Sequence, residues 1–198
     1  MASVDVHARC VIPSLIIGIQ GGPYSFNEAA CKRYVKQKKI THCSVRYLVS
    51  SRAVLSALTR KKIDLGIVCL ENEGFVEETL SALSQYVACI KDVVTMKLQL
   101  ALLCLPKIDT KSIHTIASHP QAVKQSSYYL NQHYPTVTYR AEKDTAGAAK
   151  KLKEKKLSMY TAVIAPRACA SVYGLKVIAN NIQNAKPSKA RFLVLERL

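Results

Sequence analysis

Short apolar runs alternate with longer amphipathic stretches along nearly the whole chain. "LIIGI" (15–19), "LGIVCL" (65–70), "LQLALLCL" (98–105), "TAVIA" (161–165) and "FLVL" (192–195) lack polar alternation and are short, which predicts strands buried on both faces. Between them apolar residues recur at helical spacing. Phe26, Ala29, Ala30 and Tyr34 form one such stripe, with Glu28, Lys32 and Lys36 opposite, and Val54, Leu55 and Leu58 form a second. Ala122, Val123, Ser126, Tyr129 and Leu130 make a third, and Ala148, Ala149 and Leu152 a fourth. Strands that alternate with helices at this density predict an α/β protein built on mostly parallel sheets.

The strand–helix order runs twice, with a break near residues 95–110. The expected architecture is two α/β lobes around a central cleft. A tail covers 1–14, a first lobe covers 15–95 and is completed by 185–198, and a second lobe covers 96–184. A ligand is expected between the lobes, at the carboxyl ends of strands where helix N-termini point.

Composition narrows the class. No apolar stretch reaches the roughly 18 residues of a membrane span. The N-terminus has an early acid, no basic leader and a proline in its apolar run, so it does not read as a secretory signal. A cytoplasmic protein is expected, with organellar import left open by Arg9. The seven cysteines are scattered, with no C-x-x-C and no zinc-type spacing. Free thiols and no metal are therefore expected. The formal net charge of +16 implies attraction to anions: small acids, an acidic protein, nucleic acid or anionic lipid. Basic clusters at 31–39 and 150–156 fall on outer helix faces, which fits a solvated surface equally well. Nucleic acid is not the expected partner, because no recognition motif or aromatic–basic interleaving occurs.

Four stretches carry candidate chemistry. In "ASHPQAVKQ" (117–125) a strand ends, Pro120 takes the first helical position, and Ser118 or His119 can cap the helix, so that backbone N–H groups face an anion. In "DTAGAAKKL" (144–152) Asp144 or Thr145 opens a helix whose small residues allow close approach. "GIVCLENEGFVEETLSAL" (66–83) is a buried strand that runs into Glu71 and Asn72 before a helix. "IQGGPYSFNEAA" (19–30) carries a strand through Gly21 and Gly22 into a helix, a turn that can bring backbone near a ligand.

Taken in order with "AVIAPRACASVYGLKVIANNIQN" and "ARFLVL", these stretches resemble the catalytic domain of prephenate and arogenate dehydratases over about residues 15–197. The resemblance implies two lobes around a cleft, as in periplasmic-binding-protein-like folds. It also implies a homodimer, a small aromatic-precursor carboxylic acid as ligand, and no metal or organic cofactor. Prephenate loses water and carbon dioxide together, so a catalyst needs anion grips and a proton donor beside the departing hydroxyl. On the family's pattern Asn72, Ser118 and Gln125 match polar cleft residues, and Thr145 a ligand-side threonine at a helix start. Arg191 and Phe192 match the last two residues of a Thr-Arg-Phe motif, and His119, Gly21 and Gly22 fall on ligand-side turns.

The threonine of that motif is here Ala190, which has no donor. Ser188 lies two residues away, roughly 6.6–6.8 Å along a strand, out of hydrogen-bond reach unless a bulge intervenes. Other departures fall on the same turns. The segment after "EN" is shorter and holds Glu73 and Phe75. The family's glycine-rich opening holds Tyr24, Ser25, Phe26 and Asn27, where Tyr24 crowds a backbone approach. The strand before the second lobe has no histidine, and a catalytic domain without the family's phenylalanine-sensing regulatory domain is expected. Three outcomes remain open: a dehydratase-like protein with weakened or lost catalysis, an active enzyme with another donor such as Ser188, Thr145 or water, and a non-enzymatic protein whose basic surface meets an acidic partner.

Overall fold

Two five-stranded sheets, each sandwiched by helices, organise the chain. The computed structural model describes residues 14–72, 74–185 and 188–198; the tail expected over 1–14, with Cys10, lies outside these except for Ser14, as does Glu73. The first sheet has the order β2-β1-β3-β10-β4. Its strands are β1 (Leu15–Gln20), β2 (Cys43–Leu48), β3 (Leu65–Asn72), β4 (Cys89–Lys97) and β10 (Lys189–Glu196). The helices α1 (Phe26–Gln37), α2 (Ser51–Thr59) and α3 (Glu77–Leu83) connect them. The second sheet has the order β7-β6-β8-β5-β9. It contains β5 (Leu100–Cys104), β6 (Thr115–Ser118), β7 (Thr138–Ala141), β8 (Thr161–Pro166) and β9 (Lys176–Asn180). Its helices are α4 (Pro120–Gln125), α5 (Ser127–His133), α6 (Thr145–Lys153) and α7 (Ala168–Tyr173).

Both sheets are mixed. β10 runs antiparallel to β3 and β4, and β5 runs antiparallel to β8 and β9, while β1–β3 and β6–β8 pair in parallel. The antiparallel strands are those that enter or re-enter a lobe across the cleft, so their direction follows from the crossover rather than from a helical connection. The chain leaves the first sheet after Lys97 and returns at Lys189. The crossings are tied together where the Leu98 N–H donates to the Ser188 carbonyl at 2.9 Å and the Ile182 N–H to the Leu100 carbonyl at 3.1 Å.

Alternation along the buried strands sends residues to two faces. In the first sheet Ile17, Ile19, Leu65, Ile67, Phe192 and Val194 pack beneath Ala30, Cys31 and Tyr34 of α1. Val68, Leu193 and Leu195 pack on the other face against Val54, Leu55 and Leu58 of α2 and Ala82 of α3. The second sheet is covered by the small residues of α6 and α7 on one face and by Ala122 and Leu130 of α4 and α5 on the other.

Two expectations need correction. The third apolar stripe is not one helix: it breaks at Ser126, which has φ −112° and ψ 8°. Asn184 explains the break, because its N–H donates to the Gln125 carbonyl at 2.6 Å and its Nδ2 to the Lys124 carbonyl at 3.1 Å. Its Oδ1 accepts from the Tyr128 N–H at 3.0 Å, so groups a continuous helix would pair internally are paired with Asn184 instead. Glu28, placed by periodicity on the outer face of α1, is buried. Its partners are described below.

Candidate functional site

The four singled-out stretches all lie where parallel strands end. β1 ends at Gln20 before the glycine turn, β3 ends at Asn72, β6 ends at Ser118 before α4, and β7 ends at Ala141 before α6. Backbone geometry makes these the ends from which helix N-termini emerge.

Ala190 is fully buried, and its ladder partner across β3 is Asn72. Directly opposed residues hold their Cβ atoms about 4.5–5.5 Å apart. The ladder slips between Arg191 and Phe192, so that Arg191 faces Glu71 and Phe192 faces Cys69. This irregularity at the end of β3 brings Asn72, rather than its neighbours, opposite Ala190. From the second lobe Gln125 reaches across, its Nε2 donating to Asn72 Oδ1 at 2.8 Å and to the Asn72 carbonyl at 3.0 Å. The structure thus joins Asn72, Gln125 and Ala190 in one place, spanning the two lobes. With Oδ1 occupied, the Nδ2 donor of Asn72 is directed elsewhere.

Other candidates are placed differently. The Ser118 hydroxyl is fully buried and donates to the Ile164 carbonyl of β8 at 2.7 Å, which makes it a sheet tie. His119 caps α4, its Nδ1 accepting from the Gln121 N–H at 3.2 Å. Asp144 rather than Thr145 caps α6, accepting from the Gly147 N–H at 2.7 Å, and this leaves half-buried Thr145 in the first turn. Arg191 lies on the face of β10 away from Ala190 and pairs with Glu71, its Nε donating to Oε2 at 2.6 Å with a second contact through Nη2. Phe192 is 1% exposed, a core side chain. Gly21 has φ +86° and donates its N–H to the Leu48 carbonyl, whereas Gly22 has open space where a side chain would project. Ser188 is buried, with its carbonyl engaged by Leu98.

The glycine turn contains what the sequence left unread. Tyr24 has φ +66°, in the left-handed region that favours glycine. Its N–H donates to Glu28 Oε2 at 2.8 Å, and Tyr47 donates its hydroxyl proton to Glu28 Oε1 at 2.7 Å, with Lys32 Nζ 3.1 Å away. Burial alone would raise the Glu28 pKa, but the bonds from Tyr47, Lys32 and the Tyr24 N–H together hold it below the usual glutamate value. Burial and the facing carboxylate push the Tyr47 phenol well above its ordinary range. The sequence signals for this network are a glutamate three residues after Ser25, a serine that caps α1, and Lys32 one helical turn further on.

Because the folded-state pKa of Glu28 lies below its unfolded value, its contribution is fully present above about 4.5 and is lost as pH falls through the depressed folded value. Urea midpoints are therefore expected to drop as pH is lowered below about 4.5, and Glu28→Gln should flatten that dependence while lowering stability at pH 7. An unchanged acid slope in Glu28→Gln would assign the dependence to other carboxylates.

Among the described residues no group of three or more His, Cys, Asp or Glu is arranged to hold a metal ion, and no helix is long and apolar enough to cross a membrane. Two open surface depressions are lined by other residues. One, of about 520 Å³, lies at Ser127, Tyr128, Asn131 and Asn184, and one, of about 380 Å³, lies between α1 and the edge strand β2.

A family model described as prephenate dehydratase matches residues 17–198. A bifunctional chorismate mutase/prephenate dehydratase of Buchnera aphidicola subsp. Schizaphis graminum is 27% identical over 175 residues, 87% of this chain and 45% of that protein. The chloroplastic arogenate dehydratase 5 of Arabidopsis thaliana is 30% identical over 186 residues, 93% of this chain and 42% of its own. The chain thus spans less than half the length of these curated relatives. Among solved structures, prephenate dehydratase from Arthrobacter aurescens in complex with L-Phe superposes with a TM-score of 0.81 at 23% identity, over 93% of this chain and 60% of that one. That likeness shows the same two-lobed α/β fold.

Proposed function

The chain belongs to the prephenate dehydratase family, and from that premise we propose a dehydratase-like protein of aromatic amino acid biosynthesis with weakened or lost catalysis. Its cleft takes a small ring-bearing carboxylic acid, prephenate or arogenate, or a product resembling phenylpyruvate. In the reaction the C–C bond to the departing carboxylate breaks and its electron pair enters the ring. The ring C–O bond then breaks, carrying its pair to oxygen, which leaves as water once protonated. Aromatisation supplies the driving force, so the protein's task is to hold the anion and supply that proton.

The observation that carries the proposal is Ala190, buried opposite Asn72 with a methyl group where the family motif has a hydroxyl. Asn72 and Gln125 keep a polar pair across the lobes beside it, and this supports retained binding. Loss of one such donor lowers turnover on the order of a hundredfold to a thousandfold. A homodimer in the cytoplasm, without metal or organic cofactor, is part of the same proposal, by analogy with the family. The alternative of a non-enzymatic protein steered to an acidic partner draws on the +16 charge and predicts binding that weakens with salt.

Prephenate and arogenate, each incubated with the purified protein, test the proposal through formation of phenylpyruvate or phenylalanine. The expected result is little or no turnover together with saturable binding of the acid. Turnover within the ordinary enzymatic range, about 1–10³ s⁻¹, would overturn the loss of catalysis.

A further inference from the structure

Tyr24 departs from its surroundings in three ways that share one cause. Its backbone sits at φ +66°, a conformation costly for a residue with a side chain. Its ring packs on the second-lobe cluster that contains Ala146 of α6 and Cys169 and Ala170 of α7. There it meets Tyr173 edge to face, with ring centroids 5.9 Å apart and planes at 84°. Among the described residues the other positive-φ non-glycine positions are Lys39, Lys61 and Lys155 just past helix ends and Asn181 at a strand end. Tyr24 alone among them is an aromatic whose ring crosses between lobes.

The strained turn is held from behind. Glu28 accepts the Tyr24 N–H while itself fixed by Tyr47 and Lys32, and Lys32 Nζ lies 5.7 Å from the Tyr24 ring centroid. Cys169 Sγ approaches the Tyr24 carbonyl at 4.0 Å, and burial pushes that thiol up to about 12, with Asp144 and Glu28 adding to the rise. The ring of Tyr24 thereby bridges the two lobes at the turn that follows β1, packed on the α6–α7 cluster and against Tyr173.

We infer that Tyr24 is a specificity-determining residue of this cleft: its ring occupies the ligand-ring position, so a ring-bearing acid binds only by displacing it from Tyr173. The inference rests on the functional reading above and adds the selection rule for that site. Such a displacement lowers apparent affinity by the fraction of molecules in which the seat is vacant.

Three full-length proteins test it: wild type, Tyr24→Gly and Tyr24→Phe. Glycine suits the left-handed backbone, so the variant retains the turn, and phenylalanine keeps the ring. Phenylpyruvate is titrated calorimetrically into each, and hydrogen exchange of α7 amides is followed without ligand. Tyr24→Gly is expected to bind about tenfold tighter than wild type, the order of an aromatic edge pair no longer displaced, with Tyr24→Phe like wild type. Exchange at Ala168–Tyr173 should also rise in Tyr24→Gly alone. Equal or weaker binding by the glycine variant overturns the inference, as does unchanged exchange. If no protein binds phenylpyruvate while exchange rises in Tyr24→Gly, the ring's seat is upheld and the aromatic-acid reading falls.

Discussion

Ala190→Thr is expected to raise dehydration of prephenate by about a hundredfold to a thousandfold over the wild type, the range associated with one hydrogen-bond donor to developing charge. The expectation depends on what surrounds the position. Asn72 stands directly across the ladder, and its Oδ1 already accepts from Gln125. A threonine oxygen can therefore accept from Asn72 Nδ2 and keep its own O–H for the departing hydroxyl. The added methyl and hydroxyl enter a fully buried site, so some stability is lost to overpacking, about 1–3 kcal/mol. A thermal melt checks that the variant is folded, and phenylpyruvate formation reads the gain. Should folded Ala190→Thr stay inert, the defect includes the Tyr24 turn, and the double variant with Tyr24→Gly becomes the discriminating protein. Inertness of that double variant as well would remove Ala190 from the account of lost catalysis.

Much of the fold was legible because unbroken apolar runs leave few alternatives. The segments 15–19, 65–70, 98–105, 161–165 and 192–195 all lie in or overlap strands. The edge strands were not legible. β2 is half exposed and β7 exposed throughout, both mix charges with aromatics, and β4 alternates irregularly, so none shows a clean period. The mixed direction of the sheets was equally hidden, since strand order and sense come from where the chain crosses between lobes. Periodicity misplaced Glu28, because a helical stripe cannot show that a carboxylate finds one donor from a turn and another from a neighbouring strand.

At the candidate site, sequence resemblance located Asn72, Gln125 and Ala190, which the fold brings together across the cleft. It could not tell which matched residues serve the chain itself. Ser118 ties β6 to β8, and Arg191 is held by Glu71. In both cases the partner lies 46 or 120 residues away, so no local pattern announces it. Tyr24 is the converse case. Its type was conspicuous at a turn, yet its consequence depends on Tyr173, which lies in the other lobe.

Phe192→Ala is expected to cost about 3–5 kcal/mol of unfolding free energy, a large share of the roughly 5–15 kcal/mol typical of a domain. Phe192 is 1% exposed on β10, flanked by β3 and β4 and packed with Ile17, Ile19, Leu65 and Val94 beneath α1. Removing the ring opens a cavity where two ladders meet, so the lining cannot collapse without shifting strands on both sides. Melting should fall by about 6–20 °C, at 2–4 °C per kcal/mol for a chain of this size, with the urea midpoint reduced in step. Phe192→Leu separates this structural role from a ligand contact. It preserves most of the packed volume and should cost less than about 1.5 kcal/mol. If the motif's phenylalanine acts by holding β10 in register beneath the cleft, phenylpyruvate affinity is the same in Phe192→Leu as in its parent. Were the ring itself part of the ligand's seat, the leucine variant would stay folded yet bind more weakly. Phe192 is buried among core side chains, whereas Tyr24 of the glycine turn packs across the lobes against Tyr173, so the two variants separate a ring that holds the sheet from a ring proposed to compete with the ligand.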